Sequence, residues 1–311
     1  MKLLFFDDFK LGVLKGNNVV DVGEAVKGVV HTSPQNLINQ VIADFSKHRR
    51  AIEQVASKSP GVPVSKVRLR APLPEPIRIV AMAVNYIEHG TRDKAADIDA
   101  FHKSPSCVIG NGDTVVLPDC QATIFEGEAE LALVIGKKAS KLKPEQAYEH
   151  IFGYTNFIDV SARGMRPNGS VNAYMGKSWD TFGPMGPSIV TADEIKDPMN
   201  LKVRSWINGR LYHDYSTSDM SHSIPLLMEY LTWITTLYPG DLVACGTYHR
   251  SLAAIQNKDR IEVETEGLGR LTVQVKDELD RKWDRAPRSE KSPEVLKTMN
   301  LRAPLERIRR N

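Results

Sequence analysis

Cysteine is scarce: Cys107, Cys120 and Cys245 are an odd number in 311 residues, at wide and irregular spacing. That excludes a disulfide framework and a cysteine-based zinc site, and it suits a reducing, cytoplasmic setting. An excess of one charge is also lacking, since 41 lysines and arginines face 38 aspartates and glutamates for a formal net charge of +3. No global field draws such a chain onto nucleic acid or a membrane, so a small-molecule partner is expected and neither of those two. Long hydrophobic runs are missing as well. The first, Leu3 to Phe6, is short and runs into Asp7-Asp8, which reads as a strand rather than a signal peptide or membrane span.

What remains is the composition of a globular protein, 41% hydrophobic and 25% charged, with enough chain for one large core and a smaller appendage. Residues 1–70 read as a small N-terminal α+β domain. Short β-rich runs at Leu3 to Phe6, Leu11 to Leu14 and Val19 to Val22 form a meander. Ser33-Pro34 then caps a helix carrying Leu37, Val41, Phe45, Ile52 and Val55 at helical spacing, which ends before Ser59-Pro60-Gly61. The proline-dense run Ala71-Pro72-Leu73-Pro74-Glu75-Pro76 is a linker into a main domain over residues 71–275.

That domain is β-rich. Strand signals recur at Ile79 to Val84, Thr114 to Leu117, Leu131 to Ile135, Ser188 to Val190, Leu201 to Ile207, Leu242 to Cys245, Arg260 to Glu264 and Leu271 to Val275. Helices are expected at Pro144 to Ile151 and at Ile224 to Leu237, the second opened by Pro225 and stopped by Pro239-Gly240. Residues 276–311 are dense in charge and hold three prolines. They form either a solvated tail or an oligomerisation arm, with Val295, Leu296, Met299, Leu301, Leu305 and Ile308 as apolar content to bury.

The stretch Phe125 to Gly136 carries the chemistry. Strand period two puts Glu128 and Glu130 on one face, with Glu126 beside them as a supporting group or a fourth ligand. Like charges held so close ask for a cation, and a divalent metal is the simplest. The competing reading is a charged, exposed edge strand. The apolar continuation Leu131 to Ile135 weighs against an edge, because it implies burial on both faces. Asp159 follows a second apolar run and is either a metal ligand or a partner of Arg163. Lys177 and Asp180 sit in a loop rich in glycine, proline and aromatics, the kind that positions functional side chains.

These runs, in order, resemble the fumarylacetoacetate hydrolase family. Glu128-Ala129-Glu130 leads into Leu131 to Lys137, and Gly153-Tyr154-Thr155 leads through Asp159 to Arg163. Asn85-Tyr86-Ile87-Glu88-His89 is similar to the family's Asn-Tyr-x-x-His, and Phe101-His102-Lys103 to its Phe-x-Lys segment. Lys177 to Asp180 with Gly183-Pro184-Met185-Gly186-Pro187, Asn208-Gly209 with Thr217 to Met220, and Pro239-Gly240-Asp241 with Gly246-Thr247 complete a set spanning roughly residues 70 to 275.

The resemblance implies a twisted β-sheet or β-roll domain of that family's C-terminal type, in a homodimer or larger assembly. It implies Mg2+ or Mn2+, with Ca2+ as a further candidate, on Glu128, Glu130 and Asp159, and no organic cofactor. It makes His89 the general base, suited by an imidazole pKa of about 6.5, and sets Lys177 over a developing enolate. Tyr86, Lys103, Arg163, Asp180 and Thr247 then surround the substrate, Thr247 at its carboxylate.

The expected reaction is metal-dependent hydrolysis of a carbon–carbon bond in an acylpyruvate or related 2,4-dioxo acid of aromatic-compound catabolism. Decarboxylation, hydration or keto-enol isomerisation of a 2-oxo diacid is the alternative, and a metal-retaining binding protein with little turnover is a further one. Three departures lie around the substrate. Hydrolytic and decarboxylating members commonly carry Glu three residues after the His, where this chain has Arg92; Asp159 to Arg163 runs on to Gly164-Met165-Arg166; and Tyr248 stands after Gly246-Thr247. Arg92 and Arg166 are expected to hold a second acidic group of a diacid, since guanidinium pairs with carboxylate.

Overall fold

The computed structural model describes residues 1–87, 94–166 and 172–299. Two sheets form the body. The larger has 12 strands, and its centre is a long antiparallel hairpin of Ile124–Ile135 and Ile151–Arg163. Leu242–Ala244 adds to the Ile124–Ile135 side, followed by Ile79–Ala83 in parallel and Asp99–Lys103 at the edge. Gly183–Thr191 pairs on the other side. The smaller sheet has five strands, ordered Arg210–Ser216, Lys202–Ile207, Arg260–Thr265, Gly269–Asp277 and Thr114–Leu117. This is the β-rich α+β architecture the sequence pattern implies.

Lys2–Phe6 pairs with Gly183–Thr191, so the N-terminal strands Lys2–Phe6, Lys10–Lys15 and Asn18–Asp21 are part of the large sheet. Ser33 caps Pro34–Ala43 as expected, its hydroxyl accepting from the Asn36 N–H. The single helix expected there is two. Asp44 has φ −111° and ψ 28°, outside helical geometry, and the chain restarts as Phe45–Lys58.

From Asp277 to Arg288 the chain packs on its own body. Arg281 grips Asp277, Arg285 forks onto Asp259, and the Trp283 ring meets Phe125 edge-on at 5.7 Å. Buried apolar residues from both sheets and from Pro34–Ala43 and Ile224–Ile234 share a large core cluster that includes the apolar half of the hairpin.

Candidate metal centre

The hairpin register sets Glu128 directly opposite Asp159 and Glu126 opposite Ser161, so alternation brings all four to one face with Glu130 two residues on. Ligand oxygens of Glu128, Glu130 and Asp159 lie within 4.8 Å of one another, and all three residues are buried. Four cations surround this face. Lys177, last residue of the short helix Ala173–Lys177, donates to Glu128 Oε1 at 2.7 Å and to Asp159 Oδ2 at 2.6 Å. Lys103, at the end of its strand, donates to Asp159 Oδ1.

Arg163 and Arg288 supply the others. Arg163 Nε donates to Glu126 Oε2 at 2.8 Å, its Nη2 donates to Glu128 Oε1, and Arg288 Nε reaches Glu126 Oε1 at 2.8 Å. Of the two roles expected for Glu126, the supporting one matches these bonds, since two arginines take up its oxygens. Arg163 directs its Nε and Nη2 to the acidic strand.

Glu130 differs from its neighbours. Gly246 donates its N–H to Glu130 Oε2 at 2.7 Å, from a turn where φ of +92° favours glycine. The other oxygen, Oε1, is buried and has no hydrogen-bond partner among the described residues. Burial pushes the Glu130 carboxyl well above the usual carboxylate range, and the Asp159 and Glu128 charges add to that. Burial also works to raise Glu128, but Lys177, Arg163 and His249 outweigh it and hold that group well below its ordinary value. A buried, unfilled oxygen converging with two other hard carboxylates fits a divalent cation such as Mg2+, Mn2+ or Ca2+.

The flank at Thr247 is a buried polar network. Ser205 Oγ accepts from the His213 backbone N–H and lies 2.6 Å from His213 Nδ1. His213 Nε2 lies 3.4 Å from Thr247 Oγ1. Burial pushes His213 down to about 4, so the ring is neutral at ordinary pH. Tyr215 donates to the Ala129 carbonyl at 2.6 Å, between the two acids, and packs edge-on to Tyr86 at 4.9 Å.

Of the residues singled out in sequence, Glu128, Glu130, Asp159, Lys177, Lys103 and Arg163 meet in one bonded cluster. Thr247 adjoins it next to Gly246, and Tyr86 is buried beside Tyr215. Asp180 and Arg166 are exposed, with no bond to the cluster among the described residues. His89 and Arg92 lie outside the described residues. Sequence reasoning missed Ser161, His213 and Arg288. Period-two alternation from Asp159 and Tyr215 would have found the first two, whereas nothing local marks Arg288 among the other basic residues of its segment.

Residues 78–276 match the family model for the fumarylacetoacetate (FAA) hydrolase C-terminal domain. The chain belongs to the fumarylacetoacetate hydrolase family. This member is 34% identical over 286 residues to the oxaloacetate tautomerase YisK of Bacillus subtilis, covering 85% of this chain and 94% of that protein. It is 35% identical over 243 residues to human mitochondrial oxaloacetate tautomerase FAHD2A, covering 75% of this chain and 76% of that one. Among solved structures, maleylpyruvate hydrolase from Sphingobium sp. SYK-6, in complex with manganese(II) and pyruvate, superposes with a TM-score of 0.80 at 32% identity. That match covers 89% of this chain and 99% of the hydrolase. Family members thus include tautomerases and hydrolases, and one binds manganese.

Proposed function

We propose that this protein is a divalent-metal enzyme that interconverts the keto and enol forms of a 2-oxo diacid of the oxaloacetate class. The observation that carries the reading is the convergence of Glu128, Glu130 and Asp159, with Glu130 Oε1 unfilled and the Lys177 ammonium against two of the three. A divalent cation held by these carboxylates would supply electrophilic pull on the substrate's carbonyl and adjacent carboxylate.

The side chains supply the rest. As a proton leaves the carbon beside the carbonyl, negative charge builds on the carbonyl oxygen, and Lys177 provides a preorganised positive charge for it. The net change is one proton moved from carbon to oxygen, with no water consumed. His89 takes that proton, Thr247 receives the substrate carboxylate, and Arg92 and Arg166 select a second acidic group.

Isomerisation is favoured over hydrolysis by Arg92. It stands where hydrolytic members carry the Glu that makes their histidine a better base toward water, and a cation there has the opposite effect. The names of the tautomerase relatives support the same choice. Hydrolysis of an acylpyruvate is the second reading, supported by the likeness to a maleylpyruvate hydrolase with manganese and pyruvate.

Turnover of enol-oxaloacetate and of a panel of acylpyruvates, with Mn2+ or Mg2+, separates these readings. Accelerated loss of the enol's ultraviolet absorbance without release of pyruvate or CO2 is expected. Faster pyruvate release from an acylpyruvate would make the protein a hydrolase, and CO2 from oxaloacetate a decarboxylase. No product from any substrate, with metal bound, would make it a binding protein.

A further inference from the structure

Arg288 lies beyond the matched family domain, which ends at residue 276, yet its guanidinium reaches the acidic strand. Its Nε and Nη2 donate to the two oxygens of Glu126, a side chain with no exposure to solvent. Glu126 Oε2 also accepts from Arg163 Nε, and the same Arg163 donates its Nη2 to Glu128 Oε1. The chain of contacts therefore runs Arg288, Glu126, Arg163, Glu128 without a gap. The Arg288 backbone is itself fixed, its N–H donating to the Leu252 carbonyl at 2.9 Å. Just before it, the Trp283 N–H donates to Gln256 Oε1 at 3.0 Å, and Arg285 forks onto Asp259.

We propose that Arg288 is a positioning residue of the metal site: by gripping Glu126 with both arms it keeps Arg163 divided between Glu126 and Glu128, and so fixes the Glu128 carboxylate. This rests on the reading of Glu128, Glu130 and Asp159 as metal ligands. Without Arg288, a buried carboxylate is left to Arg163 alone, and Arg163 gains by turning both donors onto it. Glu128 then loses a partner on Oε1 and samples more rotamers. Lysine in place of Arg288 keeps the charge and loses the fork, so it separates orientation from electrostatics. Partners of this kind around ligands are worth roughly 10- to 100-fold in metal affinity.

The test is calorimetric titration of the full chain with Mn2+, alongside melting temperatures, for wild type, Arg288→Lys, Arg288→Met and Arg285→Met. Arg285 is the control, because it makes the same two-armed pair from the same segment onto Asp259, an acid bonded to Asn208 and Gln256 and not to the ligand cluster. Both Arg288 variants should weaken Mn2+ binding by about tenfold or more. Arg285→Met should lower the melting temperature with wild-type affinity retained. If Arg288→Met does not fold, Arg288→Lys carries the same comparison. Wild-type affinity in Arg288→Lys would overturn the proposal, as would tighter binding in Arg288→Met, which would mark a pure charge effect. Equal weakening in Arg285→Met would overturn it too, by showing general loosening. A wild type that binds no Mn2+ would sink the metal reading along with this one.

Discussion

The two halves of the central hairpin are equally shut off from water and opposite in chemistry. From Leu131 to Ile135 every side chain is apolar, with 0% exposure, and packs into the core. From Glu126 to Glu130 the acids are buried nearly as deeply, at 0% for Glu126, 4% for Glu128 and 1% for Glu130. Burial alone therefore says little about what a residue does here. The apolar half gains from leaving water, while each acid of the other half is costly there unless a cation faces it. Arg288, Arg163, Lys177 and Lys103 meet Glu126, Glu128 and Asp159, and Glu130 is left with a backbone N–H and one unfilled oxygen. One half is organised by apolar packing, the other by charge.

The strongest way to break this contrast is Glu130→Gln. It should abolish Mn2+ binding by calorimetry and activity with it, because it removes the charge from the acid that has spare coordinating capacity. Its fold should survive. The ionised form of Glu130 is disfavoured by burial and by the neighbouring acids, so a neutral isostere should leave the metal-free protein at least as stable in urea. A Glu130→Gln enzyme that is active without metal would overturn the site.

Leu133→Ala probes the other half. Truncating this buried side chain should cost about 2–5 kcal/mol of unfolding free energy. Mn2+ affinity, measured where the variant is still folded, should stay at the wild-type value. A drop in affinity that follows the drop in stability would show the halves to be one unit.

His213 offers a third arrangement, a buried titratable group kept neutral rather than paired. Its pKa falls from 6.5 to about 4 on folding. Between those values the unfolded chain binds a proton that the folded one does not, so this stability is present above pH 6.5 and is lost as pH falls toward 4. The shift corresponds to at most about 3 kcal/mol. Urea unfolding of wild type and His213→Gln at pH 7 and pH 4.5 should show a shallower acid loss in the variant. Identical slopes would place the acid sensitivity elsewhere.

The fold and the acidic face of the strand were legible because both rest on local regularities. Alternation in one strand aligns Glu128 with Glu130, whereas Asp159 was placed beside them only by the family resemblance. The failures share a different cause. The grip of Arg288 on Glu126 was not legible, because the two lie 162 residues apart in sequence and no periodicity reports a contact at that range. The helix break at Asp44 was invisible because Phe45 and Ile52 continue the apolar spacing across it. Lys103 was legible only through the family motif, since a lone lysine is ordinarily solvated; here it is 2% exposed.

Ser161→Ala should have the smallest effect, and it sharpens the comparison most finely. Ser161 Oγ donates to Glu128 Oε1 at 2.9 Å, an oxygen that also receives Lys177 and Arg163. If charge organises the polar half, the two cations hold Glu128 and loss of the hydroxyl costs about 1 kcal/mol, or roughly fivefold in Mn2+ affinity. Ser161→Thr, which keeps a donor, should recover most of it. If instead Ser161→Ala approaches Glu130→Gln in severity, then orientation by a neutral donor outranks the cations. The acidic strand would then be built like the apolar half after all, by the fit of each side chain to its neighbours rather than by a balance of charge.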